Sequence, residues 1–295
     1  MIWNMKRILC LVLMTMMANS VLLAKVSLEE KQALIDFYES TNGISWKVTW
    51  DLETECETWY GVDVEKDHVV GIELFHNNLS GTLPTSIGKL GHLKKLNLAF
   101  NSITGTLPTS LGLLKELKVL KLEMNRLKGT LPNTIGMMTE LEEFSIFNNF
   151  ISGSIPEALG GLKNLRILNL SSNNLKGAIP KSLGELTQLE SLGLFENGLD
   201  GKIPNEMGNL TKLRELVLAN NHLGGAIPAE FGQLASLEVF QIQNNNFNSF
   251  ENLGMMDTRG MLVFDYDKDD SRIDFKDINF SKTRMADTKF EDVEE

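Results

Sequence analysis

The chain has 295 residues and a formal net charge of −11. Hydrophobic residues make up 42% of it and charged residues 23%, a composition that excludes a chain disordered throughout. The acidic charge disfavours nucleic acid and anionic membrane surfaces as partners, because both carry negative charge themselves. We therefore expect no nucleic-acid partner and look for a neutral or cationic one.

Residues 1–24 have the pattern of a secretory signal peptide. Lys6 and Arg7 precede an apolar run over residues 8–17, and small residues follow. Cleavage is predicted after Ser20 or after Ala24, and loss of the two basic residues would change the net charge from −11 to −13. An uncleaved signal anchor is the alternative, although the run is shorter than the roughly 20 residues that span a bilayer. We expect no membrane span in the mature chain, and a secreted, cell-surface or periplasmic location.

Removal of the leader also removes Cys10, which leaves Cys56 as the only cysteine. An intrachain disulfide is then impossible. Cys56 is expected to be either buried and inert or available for an intermolecular bridge.

Residues 25–68 are predicted to form an N-terminal cap. Ser27 and Glu30 have the spacing of a capping box, which indicates a helix that begins there and ends near Asn42. An aromatic segment follows, and residues 59–62 are predicted as a strand. The aromatic side chains are interpreted as a cover for the open end of the next segment, with a carbohydrate-binding platform as the alternative: Trp46, Trp50, Trp59 and Tyr60.

One sequence line is repeated at intervals of 24 residues over residues 69–250. Its asparagine recurs at Asn77, Asn101, Asn125, Asn149, Asn173, Asn197 and Asn221. Its proline recurs at Pro84, Pro108, Pro132, Pro156, Pro180, Pro204 and Pro228. A fixed period of this length predicts an α/β solenoid, here with seven full units and a truncated eighth beginning at Leu237.

The fifth unit, LRILNLSSNNLKGAIP over residues 165–180, shows the plan of every unit. Leu168 and Leu170 are predicted to point inward from a short strand, and the amide of Asn173 is expected to satisfy backbone groups in the turn. Gly177 allows a tight bend, and Pro180 fixes the backbone after it. These regular residues are predicted to be structural.

The segment ALIDFYESTNGISWKVTW, the later CETWYGV and repeats of the form LxxLxLxxNxLxGxIPxxLGxL resemble the plant-type leucine-rich repeat proteins. That family includes receptor-kinase ectodomains, polygalacturonase inhibitors and bacterial secreted members. The resemblance implies a leucine-rich repeat horseshoe with a parallel sheet on its concave face, an N-terminal helical cap and a C-terminal cap. Val64 stands near the place of the plant cap's second cysteine, which excludes that disulfide and favours a bacterial secreted member.

Function is expected at positions that the repeat leaves free. Counted from the first leucine of a unit, the third, fifth, seventh and eighth positions should face the concave sheet. An apolar track is predicted there, formed by Phe75, Phe100, Met124, Phe147 and Phe195. Charged neighbours are predicted to set its polarity: Glu73, Lys121, Glu123 and Glu196. A contiguous apolar group suggests contact with a protein or glycan, and the alternative is that the rings lie flat against neighbouring side chains.

Residues 251–295 are predicted to form an acidic C-terminal cap or tail, with a last strand at 261–264. The run from Asp265 begins like a calcium loop but has Asp270 where glycine is needed and Lys276 where glutamate is needed. We do not expect calcium to bind there.

No catalytic constellation can be assembled from the chain. The four histidines are interpreted as having unrelated repeat positions, and only His76 is predicted to face the concave sheet, so no metal site and no cofactor are expected. Glu123 and Glu196 would lie about 14 Å apart, too far for paired-carboxylate hydrolysis. The sequence thus predicts a non-catalytic recognition or adhesion protein. An inhibitor of a secreted polysaccharide hydrolase, or a receptor-like ectodomain acting with a separate signalling partner, remains the alternative.

Overall fold

A computed structural model describes residues 25–267 of the chain. The predicted signal peptide and the acidic tail beyond residue 267 lie outside the described residues and stay predictions. No helix within residues 25–267 is both long enough and apolar enough to cross a membrane.

The N-terminal cap begins with helix α1, Leu28–Ser40. The Ser27 hydroxyl accepts a hydrogen bond of 3.1 Å from the Glu30 backbone N–H, as the capping motif predicts. The Glu30 carboxylate contacts the Ser27 hydroxyl at 3.3 Å. One face of the helix, carrying Ala33, Leu34 and Phe37, is fully buried against the first units.

Three tryptophans pack beneath this helix. Trp50 stacks on Trp59 with 4.8 Å between ring centroids and meets Trp46 edge-on at 4.9 Å. All three are at most 6% exposed, so their rings seal the end of the solenoid and cannot serve as a carbohydrate platform. Of the predicted aromatic set, Tyr60 is the one ring that is exposed, at 51%. The strand predicted at 59–62 is partly wrong: it begins at Val62, because Trp59 turns into this cluster.

Cys56 lies in the same cap and is 1% exposed. Burial raises the pKa of its thiol to about 11, which keeps it protonated near neutral pH. Of the two alternatives for Cys56, this environment supports a buried, inert thiol over one available for an intermolecular bridge.

The described units align their short strands in one ten-stranded sheet, which we call the concave sheet. All neighbours are parallel except the first pair, an antiparallel hairpin. The register advances by one period per strand, as in Leu168 opposite Leu192. The strands are Val62–Glu65, His68–Glu73, Lys95–Asn97, Val119–Lys121, Glu143–Ser145, Ile167–Asn169, Ser191–Gly193, Glu215–Val217, Val239–Gln241 and Val263–Asp265.

A second set of strands follows the asparagine of each unit. A parallel pair, Ser80–Thr82 and Ser102–Thr104, precedes a six-stranded second sheet. The strands of the second sheet are Lys128–Gly129, Phe150–Gly153, Asn174–Ala178, Gly198–Lys202, His222–Ala226 and Asn246–Ser249. Gly177, the next-to-last residue of Asn174–Ala178, has φ +79, a conformation that favours glycine.

Short 3₁₀ helices form the convex side, each beginning directly after a proline in the regular units. Proline suits this place because its φ is fixed and no N–H is needed there. Those of the units are Thr85–Lys89, Thr109–Leu113, Asn133–Met137, Glu157–Gly161, Lys181–Glu185, Asn205–Asn209 and Ala229–Gln233. Others are Gly43–Ser45, Cys56–Thr58, Glu251–Met255 and Thr258–Gly260.

The regular 24-residue spacing of the asparagines produces a hydrogen-bonded ladder through the core. The Asn173 amide donates to the carbonyl of Ile146 in the preceding unit at 3.0 Å, and its oxygen accepts from Ile151 N–H at 2.9 Å. The same pattern recurs in the other regular units, for example at Asn221. The predicted structural role of these residues is therefore confirmed in the fold.

The concave sheet continues past residue 250. Val263–Asp265 pairs in parallel with Val239–Gln241, as the sequence predicted for this segment. Phe264 stacks on Phe240 with 5.5 Å between ring centroids, which extends the core by another layer. The proposed domain boundary at residue 250 stays a prediction, and periodic packing crosses it.

Candidate partner-binding site on the concave sheet

The eighth position of every unit has a left-handed backbone conformation. Its φ angles run from 50° at His76 to 58° at Phe100, and Met124 and Glu196 have φ of 55° and 52°. These residues therefore do not continue the strand. The direction of their side chains could not be predicted from the repeat spacing alone. Asparagine tolerates this conformation best among residues with side chains, and three units have it: Asn148, Asn220 and Asn244.

Phe75 and Phe100 form an exposed aromatic pair at the N-terminal part of the concave sheet. Their ring centroids are 5.1 Å apart, and the rings are inclined at 54°. Phe75 is 53% exposed and Phe100 44%, so the pair presents apolar surface to solvent rather than to the core. Two large exposed rings in contact form the kind of patch that partners use as an anchor.

The remaining apolar residues of the predicted track are less exposed. Met124, Phe147 and Phe195 are half-buried, and the Asn148 amide lies 2.9 Å from the Met124 sulfur. Ser171, which is 6% exposed, separates Phe147 from Phe195 along their row. Among the described residues no aromatic ring contact involves either of these two phenylalanines. The structure therefore brings together Phe75 and Phe100 but leaves the other members as separate points on the sheet.

Two of the predicted charged residues are neutralised by lysine–glutamate pairs. Lys95 Nζ lies 2.5 Å from Glu73, and Lys121 Nζ lies 2.8 Å from Glu143. The hydrogen bond to Glu143 raises the pKa of the Lys121 ammonium above its usual range. Glu73 and Lys121 thus have partners within the protein and are less available to a ligand than their sequence positions suggest.

Glu123 and Glu196 have no lysine or arginine partner among the described residues. Glu196 is exposed and accepts a 2.8 Å hydrogen bond from the Ser172 hydroxyl. One carboxylate oxygen of Glu123 is buried and has no hydrogen-bond partner within residues 25–267. Of the two carboxylates, Glu196 is therefore the one that a ligand reaches more easily.

Two exposed apolar residues were missed by the sequence prediction. Phe150 is 56% exposed, and it begins a strand of the second sheet at the tenth position of its unit. Ile167 is 37% exposed and lies in the concave sheet at the third position. The sequence did offer a sign of Phe150, because it is an aromatic residue at a position where the adjacent units have the polar residues Arg126 and Asn174.

A groove of about 1150 Å³ runs along the proline row, away from the concave sheet. Its apolar floor consists of side chains that are almost wholly buried, such as Ile155, Ile179 and Ile203 at 2–3% exposure. Its rim is crossed by the ion pair of Lys181 with Glu206 at 3.3 Å. The groove therefore offers little apolar surface to a partner, and the Phe75–Phe100 pair is the better candidate.

Comparison with known protein families agrees with this architecture. Residues 73–199 match the model of a leucine-rich repeat region, and residues 212–234 match that of the leucine-rich repeat. The chain folds as a leucine-rich repeat solenoid. No curated protein gives a significant match to the chain.

Solved leucine-rich repeat ectodomains of plant receptors are similar in structure. One is the ectodomain of the receptor kinase GASSHO1/SCHENGEN3 from Arabidopsis thaliana, in complex with Casparian strip integrity factor 2. It is 33% identical over 77% of this chain and 28% of its own, with a TM-score of 0.74. PEPR1 bound to AtPEP1 is 26% identical over 81% of this chain and 35% of its own, with a TM-score of 0.71.

The Arabidopsis receptor kinase HAESA, in complex with the peptide hormone IDA and the co-receptor SERK1, is also similar. It is 27% identical over 82% of this chain and 45% of its own, with a TM-score of 0.64. The chain thus spans less than half the length of each of these three leucine-rich repeat proteins.

Proposed function

We propose that the protein is an exported, non-catalytic leucine-rich repeat protein that binds an extended peptide segment of another protein across its concave sheet. The main contacts would come from the apolar track of Phe75, Phe100, Met124, Phe147 and Phe195. The charged residues Glu73, Lys121, Glu123 and Glu196 would set the polarity of the binding surface. Among them, Glu123 and Glu196 would contribute most, because they have no lysine or arginine partner in the described part of the chain.

The observation that carries the proposal is the exposed Phe75–Phe100 pair. A polar residue at position 75 or 100 would not disturb the core, since neither Phe75 nor Phe100 is buried. Burial of each ring by a partner removes apolar surface from water at about 25 cal/mol per Å². The pair is thus an available source of binding free energy in this part of the molecule.

The charge on the concave sheet indicates the chemistry of the peptide. Over residues 69–267, the third, fifth, seventh and eighth positions of the 24-residue period have seven carboxylates and two lysines, Lys95 and Lys121. Both lysines are already paired, so the remaining acids give the sheet a negative potential. The seven carboxylates are Glu73, Glu123, Glu143, Glu196, Glu215, Asp265 and Asp267. A peptide with aromatic or aliphatic anchors and a lysine or arginine side chain is complementary to this surface.

The similar solved structures support a peptide over a glycan. GASSHO1/SCHENGEN3 is in complex with Casparian strip integrity factor 2, and HAESA is in complex with the peptide hormone IDA. Extended peptides suit a row of parallel strands, because successive side chains can reach successive units.

Selection from a random peptide library displayed on phage would test the proposal. The purified chain is the target, and the variant with both Phe75→Ala and Phe100→Ala is used for counter-selection. We expect enriched peptides with apolar anchors and basic residues, whose affinity falls at least tenfold in the double variant, measured by biolayer interferometry. Phe147→Ala and Phe195→Ala are expected to have smaller effects, because these rings are half-buried.

Phe150→Ala provides the matched control. Phe150 is as exposed as Phe75 but begins a strand of the second sheet, so its removal should leave affinity unchanged. Peptides that bind the double variant as tightly as the parent, or that are enriched in acidic residues, would refute the proposal. Selective binding on a glycan array with no peptide enrichment would also refute it.

A further inference from the structure

His68 and His92 are stacked where the cap meets the first units. They are one 24-residue period apart, so the interpretation that the four histidines have unrelated repeat positions is wrong for this pair. Their ring centroids are 3.9 Å apart and the ring planes are inclined at 39°. The two side chains are 44% and 47% exposed, so the rings can be reached from solvent.

A carboxylate lies beside the Nδ1 atom of each ring. His92 Nδ1 lies 2.9 Å from Glu116 Oε1, which is a hydrogen-bonding distance. His68 Nδ1 is 3.4 Å from Glu30, close enough for an ion pair but without the geometry of a hydrogen bond. Glu30 is 4% exposed, which makes it a buried carboxylate with few partners.

The hydrogen bond to Glu116 identifies the free nitrogen of His92, and Glu30 lies on the Nδ1 side of His68. A carboxylate at Nδ1 favours the tautomer with the proton on Nδ1, which leaves a lone pair on Nε2. Within residues 25–267, no hydrogen bond engages Nε2 of His68 or of His92. Carboxylate, imidazole and metal in this order form a common arrangement in protein metal sites, where the carboxylate orients the ring.

We propose that His68 and His92 form a binding site for a divalent late transition-metal ion, with Glu30 and Glu116 as positioning residues. Both rings would bind through Nε2, and water would complete the coordination. The site is separate from the Phe75–Phe100 pair and from the peptide proposed to bind there, although His68 begins a strand of the concave sheet.

The spacing of the rings suits one shared ion. Two imidazoles bound to one ion at about 2.1 Å and at a right angle have ring centroids about 4.5 Å apart, against the observed 3.9 Å, so one ion can be shared once the rings turn their Nε2 atoms toward it. Partly exposed side chains on a surface can make such a movement without disturbing the core.

The number of ligands favours copper or nickel over zinc. The part of the chain that the structure describes has no group of three or more histidine, cysteine, aspartate or glutamate side chains able to hold a metal ion. Structural zinc needs four protein ligands, whereas two imidazoles with several waters suit the tetragonal or octahedral preference of Cu²⁺ and Ni²⁺.

A metal at this place would join separate parts of the fold. Glu30 belongs to α1, and His68 begins the strand His68–Glu73. His92 and Glu116 precede the strands of the next two units. Binding to the folded state alone would stabilise the junction of cap and solenoid, because the unfolded chain does not hold the two rings together.

Isothermal titration of the full chain with Ni²⁺, an ion that does not oxidise thiols in this setting, tests the site. We expect one ion per chain, and an affinity at least tenfold lower in His92→Gln and in His68→Gln. Glutamine is a mild replacement at residue 92, because Gln188 has the corresponding position four units later. The Ni²⁺-dependent rise in Tm should disappear in the same variants, and it provides a second measurement.

His222→Gln is the control, since His222 is exposed and lies in the second sheet. It should bind Ni²⁺ like the parent chain. Glu116→Gln should weaken binding without abolishing it, because it orients His92 only. Parent affinity retained in His92→Gln, or no stoichiometric binding by the parent chain, would overturn the proposal and identify the stacked rings as a packing contact.

Discussion

Phe100 occupies a backbone conformation that disfavours its own side chain. A left-handed φ costs an L-residue about 1–2 kcal/mol, and asparagine pays least of this cost. The ring contact with Phe75 returns about 0.5–1.5 kcal/mol. The fold therefore gains little from phenylalanine at this position, which supports the proposed role in binding.

We expect Phe100→Asn to leave the free energy of unfolding within about 1 kcal/mol of the parent, because backbone relief offsets the lost ring contact. Affinity for a selected peptide should fall at least tenfold. Ser172→Asn is the control at an equivalent backbone position, with φ 51°: its amide can replace the hydroxyl that donates to Glu196, so affinity should stay unchanged, and stability should not fall. Denaturant unfolding and interferometry give both readings. A large loss of stability in Phe100→Asn would instead make the ring structural.

At the scale of the repeat, the asparagine ladder makes neighbouring units interdependent. Asn173 donates to Ile146 and Leu170 carbonyls and accepts from Ile151 N–H. Asn197 makes the equivalent bonds but is half-buried, whereas Asn173 is 9% exposed. Loss of either amide leaves backbone groups without partners, and water can reach them more easily at Asn197.

Asn173→Ala should therefore cost about 2–4 kcal/mol of unfolding free energy, since at least two buried backbone groups lose their partners. Asn197→Ala should cost less, by about 1 kcal/mol or more, because water replaces part of the lost bonding. Urea unfolding monitored by circular dichroism measures both. Equal costs for the two variants would contradict an explanation based on burial.

Periodicity predicted the elements well because each unit obeys one packing rule. The 24-residue spacing was sufficient for the parallel concave sheet, the inward Leu168 and the bonding of Asn173. It could not give the dihedral angle at Phe100, because spacing describes which residues are equivalent and not the conformation they adopt. It also could not reveal that Lys95 neutralises Glu73, since that pair depends on side-chain reach between adjacent strands. The nine residues of the candidate site stay predictions, and the structure ranks them by exposure and pairing.

At the scale of the whole molecule, the solenoid should tolerate the loss of a whole unit but not of a fraction of one. Each unit contacts its neighbours, so stability is a sum over units and the interfaces between them. Deletion of residues 205–228 joins Pro204 to Ala229, which has the same place in its unit as Asn205. Every strand then keeps its register, and the deleted unit contains none of the nine candidate residues.

We expect this deletion variant to unfold cooperatively, with a denaturant m-value lower by about a tenth because less surface is buried. Its affinity for a selected peptide should stay within twofold of the parent. Deletion of residues 205–216, half a period, is the control and should abolish folding, since it places the asparagine of one unit against the leucines of the next. If both deletions fold equally well, the units do not depend on register. If neither folds, stability is not distributed over units as a solenoid requires.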